Sequence, residues 1–124
     1  MSYIESTEIK DSIASGFTLT DLIARADEEL ESVALSMGVL SSEISTPIYY
    51  DIKQWLVFWV IRELCLEKIG KANEGDVDKY QRKFDIMNVR VAEYRGRLSP
   101  EMFRGFTTGQ LNVTPIGVQL MRGS

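Results

Sequence analysis

Four cations, Lys79, Lys83, Arg90 and Arg97, follow one another at intervals of four, seven and seven residues. At 100° per residue they fall in one line along a helix. Such a row could touch a phosphate backbone. The commoner meaning is a solvated face, or a strip that meets an acidic surface on a neighbour. Acids also cluster, at Asp27, Glu28, Glu29 and Glu31; they could hold a cation or a basic partner, and as plain structure they are the wet side of a helix. Tyr49, Tyr50, Trp55, Phe58 and Trp59 could form a cofactor or base-stacking site, but aromatics on an apolar helix are far more often core. Gly105 and Gly109 flank Phe-Thr-Thr and superficially resemble a phosphate-binding loop. Neither the Lys-Ser/Thr that should follow nor a preceding strand is there, so a hinge is the better reading of the two glycines.

Catalysis has little to stand on. The chain contains no histidine and one cysteine, which removes the commonest general base and any zinc site of the Cys/His type. Cys65 lies in an apolar stretch, where thiols are usually inert. Serine and threonine hydroxyls have no histidine to activate them, and no spacing singles out a pair among the 18 acids. We therefore expect no catalytic, cofactor or metal site, and a protein that is not an enzyme.

The element that positions everything else is the stretch from Ile48 to Ile69. From Trp55 to Ile61 every side chain is apolar, so a helix here is greasy all round and must be central. Asp51, Lys53, Arg62 and Glu63 break the run too often for a membrane span. The fold expected is all-α: a small bundle of three main helices, at about 20–37, 47–69 and 76–98, with a short turn at 99–104. Thr18 or Thr20 is placed to cap the first helix, and Gly38 to end it. Thr46 with Pro47 at the first helical position would start the second, and Gly70 would stop it. Asp76 would cap the third. Val77, Tyr80, Phe84, Met87, Val91, Tyr94 and Leu98 are spaced 3, 4, 3, 4, 3 and 4 apart, a seam that predicts lengthwise packing on the central helix. Ser99 and Pro100 are the cap and first position of the short turn. Residues 1–17 read as an arm or one short helix, 18–104 as a helical domain, and 105–124 as a hinge and extended arm.

Length and composition fit one ordinary globular domain: 124 residues, 44% hydrophobic, 26% charged. The N-terminus has neither the basic start nor the apolar core of a signal peptide, which points to a cytoplasmic product; a single cysteine agrees. A net charge of −4 hides a polarity. Residues 1–78 carry 6 Lys+Arg against 15 Asp+Glu, and residues 79–124 carry 8 against 3. Copies of such a molecule could attract one another head to tail, and contacts of that kind close into rings when the rotation allows. Segregation along the sequence need not survive folding, however. A helix apolar all round needs cover on every side and only two long amphipathic helices are available, so part of the central helix or of its partners is expected to face another copy. Leu111, Val113, Val118 and Leu120 alternate with polar residues in an extended segment with Pro115 in its middle, which suits an added strand on another subunit; disorder in the isolated protein is the alternative, and both can hold before and after assembly.

In their order these features resemble the small helical head-to-tail connector (adaptor) proteins of tailed bacteriophages. The features are the acidic first helix, the tryptophan-rich second helix with Ile-Arg-Glu-Leu-Cys (Ile61 to Cys65), the Asp-Lys-Tyr-Gln-Arg-Lys-Phe run of the third (Asp78 to Phe84) and a detachable tail. The resemblance covers roughly residues 18–109 and rests on architecture more than on a diagnostic motif. It implies a virion neck protein made in the host cytoplasm. Its subunits would form a ring, typically of twelve, docked on the portal protein, with a downstream neck or tail protein on the far side. DNA would pass through without sequence-specific binding. The resemblance also gives portal or subunit contacts to Leu111, Val113, Ile116, Val118 and Leu120, and hinge motion to Gly105 and Gly109. Lys79, Lys83, Arg90 and Arg97 become candidates for the channel or the subunit interface. A cellular helical interaction module or coiled-coil adaptor is the alternative, and a small nucleic-acid binder a third.

Overall fold

The computed structural model describes residues 2–71 and 74–105, and every element among them is helical. In chain order, α1 spans Thr20–Ser36, α2 Tyr50–Ile69, α3 Glu74–Arg95 and the single turn α4 Pro100–Phe103. Three 3-10 turns, Ser6–Glu8, Ala14–Gly16 and Ser41–Glu43, lie between or before them. The expected all-α bundle of three main helices is what forms. No helix among the described residues is long and apolar enough to cross a membrane.

The core is organised by α2. Its buried residues, Ile52, Trp55, Leu56, Val57, Trp59, Val60, Ile61, Leu64 and Cys65, point in nearly every direction around the axis, so no single neighbour could cover them. On one side α3 runs antiparallel: the rings of Phe58 and Tyr94 lie 5.3 Å apart and Arg62 donates to Asn88 at 3.2 Å. The expected seam does this work, with Tyr80, Met87, Val91 and Leu98 buried and Phe84 and Tyr94 packed beside them. On another side lies α1, which buries Leu22, Ile23, Ala26, Leu30, Val33 and Ala34. Both helices pack on α2. Two further covers come from pieces that sequence periodicity does not display. Residues 2–17 lay Ile4, Ile9 and Ala14 into the core, and α4 inserts Phe103, which is fully buried. The apolar run of α2 is thus enclosed within its own chain, and the exposed large apolar side chains are at its ends, on its partner helices and, as Leu40, in the connection after α1.

Several helix ends differ from expectation. Thr46 and Pro47 do not start α2; their peptide bond is cis and the helix begins at Tyr50. Ile44 and Ile48 are both buried, and the segment stays non-helical until both are seated. Neither Thr18 nor Thr20 caps α1, because the cap position falls to Leu19, whose side chain is claimed by the core. Gly38 does end that helix in the left-handed region, at φ +82°. Gly70 ends α2 in the right-handed region instead. The third helix starts at Glu74, so Asp76 lies inside it. It ends at Arg95, before Gly96, leaving Leu98 to be buried from a turn. Ser99 and Pro100 begin α4 as expected, although the Ser99 side chain makes no capping bond.

The turn α4 is bolted to the 37–49 connection. The Ser45 N–H donates to the Phe103 carbonyl at 2.8 Å, and Arg104 donates to the Gly38 carbonyl at 3.1 Å. Gly105 closes the turn at φ +85°, and a Cβ there would sit 2.5 Å from the Ser45 Oγ. Only glycine meets both conditions. Gly105→Ala is therefore expected to lower stability by about 2 kcal/mol, read as a drop in urea midpoint. Leu56→Ala, which empties space at a fully buried position, should cost about 3 kcal/mol in the same assay.

Candidate assembly surface

The acidic run on α1 has two uses in the fold. Asp27 accepts the Tyr3 N–H at 2.9 Å and Glu31 accepts the Tyr3 hydroxyl at 2.7 Å, so these acids hold the N-terminal segment. Farther along α1, Glu28, Glu31, Ser32 and Leu35 join Leu40, Ser41 and Ser42 around an open depression of about 620 Å³. The apolar side chains lining it are exposed, Leu35 60% and Leu40 56% accessible.

The basic strip is less uniform than its spacing suggests. Lys83 is held by Asp11 in a half-buried ion pair. The other three lean on aromatic rings: Lys79 on Tyr80 at 4.8 Å, Arg90 on Phe58 at 5.7 Å and Arg97 on Tyr94 at 4.3 Å from the ring centres. Cation–π contact and the covering of an apolar edge by a long stem both favour this. Arg97 lies beyond the end of α3, in the turn before α4. Beside the strip, Ile86 and Val89 stand out from α3, 52% and 61% accessible, and as an i, i+3 pair they form one ridge. Gly105 belongs to the α4 turn. Gly109, Leu111, Val113, Ile116, Val118 and Leu120 lie outside the described residues.

What the spacing of residues failed to suggest is the part played by residues 2–17. This segment touches all three long helices through polar pairs: Tyr3 with α1, Glu8 with Lys53 of α2 at 2.7 Å, and Asp11 with Lys83 of α3. Lys68 of α2 adds a contact over the Phe17 ring at 4.3 Å. The isoleucines at 4, 9 and 13 were the available signal, but spacings of five and four do not separate a helix from irregular structure, and partners 24 to 72 positions away leave no local trace. Burial, and then the hydrogen bond to Glu31, push the Tyr3 hydroxyl from its ordinary 10.0 to about 12. The Lys53 hydrogen bond, followed by the Glu5 backbone, draws Glu8 below the usual carboxylate range. Burial lifts the Cys65 thiol to about 11, far from a reactive thiolate.

Among the described residues no group of three or more potential metal ligands comes together. Comparison with protein-family models, curated proteins and solved structures finds no match in any of the three.

The Tyr3 and Glu8 shifts set opposite pH signatures. A tyrosine whose folded pKa is raised stabilises fully below its ordinary value, and that contribution is lost as pH rises from 10.0 to about 12. Tyr3→Phe should cost about 1 kcal/mol at neutral pH and flatten this alkaline decline in a denaturation series. A depressed carboxylate does the reverse: the Glu8 contribution is present at neutral pH and lost as pH falls through the lowered value. Glu8→Gln is accordingly expected to reduce the acid sensitivity of the urea midpoint.

Proposed function

We propose that this chain is a structural subunit of a tailed-bacteriophage neck. Copies assemble into a ring that docks on the portal and joins the DNA-filled head to the tail, with a downstream neck or tail protein on the far side. Supporting this reading is one feature of the surface. Two pairs of large aliphatic side chains, Leu35 with Leu40 and Ile86 with Val89, stand in solvent beside charged residues, while the core is filled without them. Apolar groups that cluster at the surface of a small domain mark contacts with other molecules, whereas single ones need no explanation. An apolar centre with a charged rim is the anatomy of a protein–protein interface. The order of features shared with head-to-tail connectors makes the ring the specific form of assembly, and its typical number is twelve.

The basic residues do not call for a nucleic-acid ligand. Lys83 is neutralised by Asp11, and Lys79, Arg90 and Arg97 rest on rings, so passing DNA would meet scattered positive charge without a reading surface.

Electron microscopy of the purified chain mixed with a candidate portal protein tests the proposal: rings stacked on the portal are expected. Removal of residues 110–124 should abolish docking while the far-ultraviolet circular dichroism stays nearly unchanged. A stable dimer by native mass spectrometry, indifferent to any portal, would instead identify a coiled-coil adaptor and overturn the neck assignment.

A further inference from the structure

The ridge on α3 and the depression on α1 carry opposite charge. Ile86 has Arg82 and Arg90 one turn before and after it, both exposed, and Lys79 a further turn away. The depression lined by Leu35 and Leu40 is rimmed by Glu28 and Glu31. Asp85 and Glu93 lie a turn to either side of Val89, so positive charge is concentrated at the Ile86 side of the ridge. That asymmetry gives the ridge a preferred way round against an acidic rim.

We propose, resting on the assignment of this chain as a self-assembling subunit, that the Ile86–Val89 ridge of one copy seats in the Leu35–Leu40 depression of a second copy. Within a single molecule the two surfaces have no route to each other, because α1 and α3 each pack on α2 and those packings fix them in place. Pairing two ridges antiparallel about a twofold axis would set Arg82 and Arg90 opposite Glu93 and Asp85 of the other copy, but it would leave Leu35 and Leu40 in solvent and Glu28 and Glu31 unmatched. Pairing two depressions would oppose Glu28 and Glu31 to their own copies, and like charges directly opposed select against it. Ridge against depression covers both apolar pairs and meets cation with acid. A contact between two different patches leaves one of each free on every pair, so it propagates into a closed ring or an open filament.

Two exposed-site variants of the full chain, Ile86→Asp and Leu35→Asp, separate the outcomes by sedimentation velocity at low ionic strength. The unaltered chain is expected to associate with rising concentration and to dissociate as salt screens the rims. Each variant alone should associate about tenfold more weakly or not at all, with unchanged circular dichroism. Mixed in equal amounts they should form a heterodimer and stop there, since each brings one intact surface. Mixtures that stay monomeric, or variants that assemble as the unaltered chain does, would sink this contact. In the second case the assembly assignment stands and only the surface is wrong. An unaltered chain that stays monomeric at the highest concentration overturns the contact as well, and the portal experiment then decides the neck assignment on its own.

Discussion

A helix that is apolar around its whole circumference must be wrapped, and a chain of this length has little to wrap it with. Burying one large aliphatic or aromatic side chain is worth roughly 1.5–3 kcal/mol, so leaving any side of α2 open would forfeit much of the stability of a small domain. That requirement explains why pieces without regular periodicity are recruited. Residues 2–17 and the one-turn α4 each deliver a few side chains, Ile4 and Phe103 foremost, to gaps that α1 and α3 leave. It also explains the helix starts. At Leu19 and at Ile44 and Ile48 the core takes an apolar side chain in preference to a capping bond or an earlier helical turn.

Much of this was legible from residues alone. The unbroken run from Trp55 to Ile61 identifies the central helix, and the alternating threes and fours from Val77 to Leu98 identify its partner, because both signals are local and repeat many times. Gly38 could be read because a left-handed position accepts almost nothing else. The failures share a cause: they depend on partners distant in sequence. Thr46 before Pro47 is a good cap in isolation, yet it is overruled by the burial of residues on either side. The segment before Thr18 reads as an arm or one short helix because its isoleucines lack a clear period, and its anchors, Asp27, Glu31, Lys53 and Lys83, are visible only once the helices are in place.

The charge asymmetry between the two parts of the sequence survives folding in altered form. Part of it is consumed inside the molecule, where Asp11 of the acidic part holds Lys83 of the basic part, while Arg25, held over Trp59 by Glu63 and Glu67, is paired within the acidic part. Exposed charge is spread over the described surface, at Lys10, Asp21, Glu43, Glu101 and Arg104 among others, and two groups of it lie beside pairs of aliphatic side chains. Counting residues gives the sign of each half; only the fold shows which charges are spent at home. The candidate surface was accordingly half visible. Lys79 and Arg90 could be placed on a strip, and Leu35 and Ile86 fall off the apolar faces that the spacing gives α1 and α3; the depression that Leu35 shares with Leu40 is visible only once the connection after α1 has folded.

Residues 2–17 bind the helices much as a short peptide ligand binds a receptor, through a handful of side chains and with no continuous secondary structure joining the two. Exposed or half-exposed ion pairs of this kind contribute little individually, on the order of 0–1 kcal/mol. Joined to α1 by Phe17 to Leu19, the segment is never diluted, and a tether of a few residues raises its local concentration to the order of millimolar. Connectivity therefore adds to what the burial of Ile4, Ile9 and Ala14 already contributes. A cleavage between Gly16 and Thr20 would turn an internal clasp into a dissociable one and open a furrow along α1, α2 and α3 together.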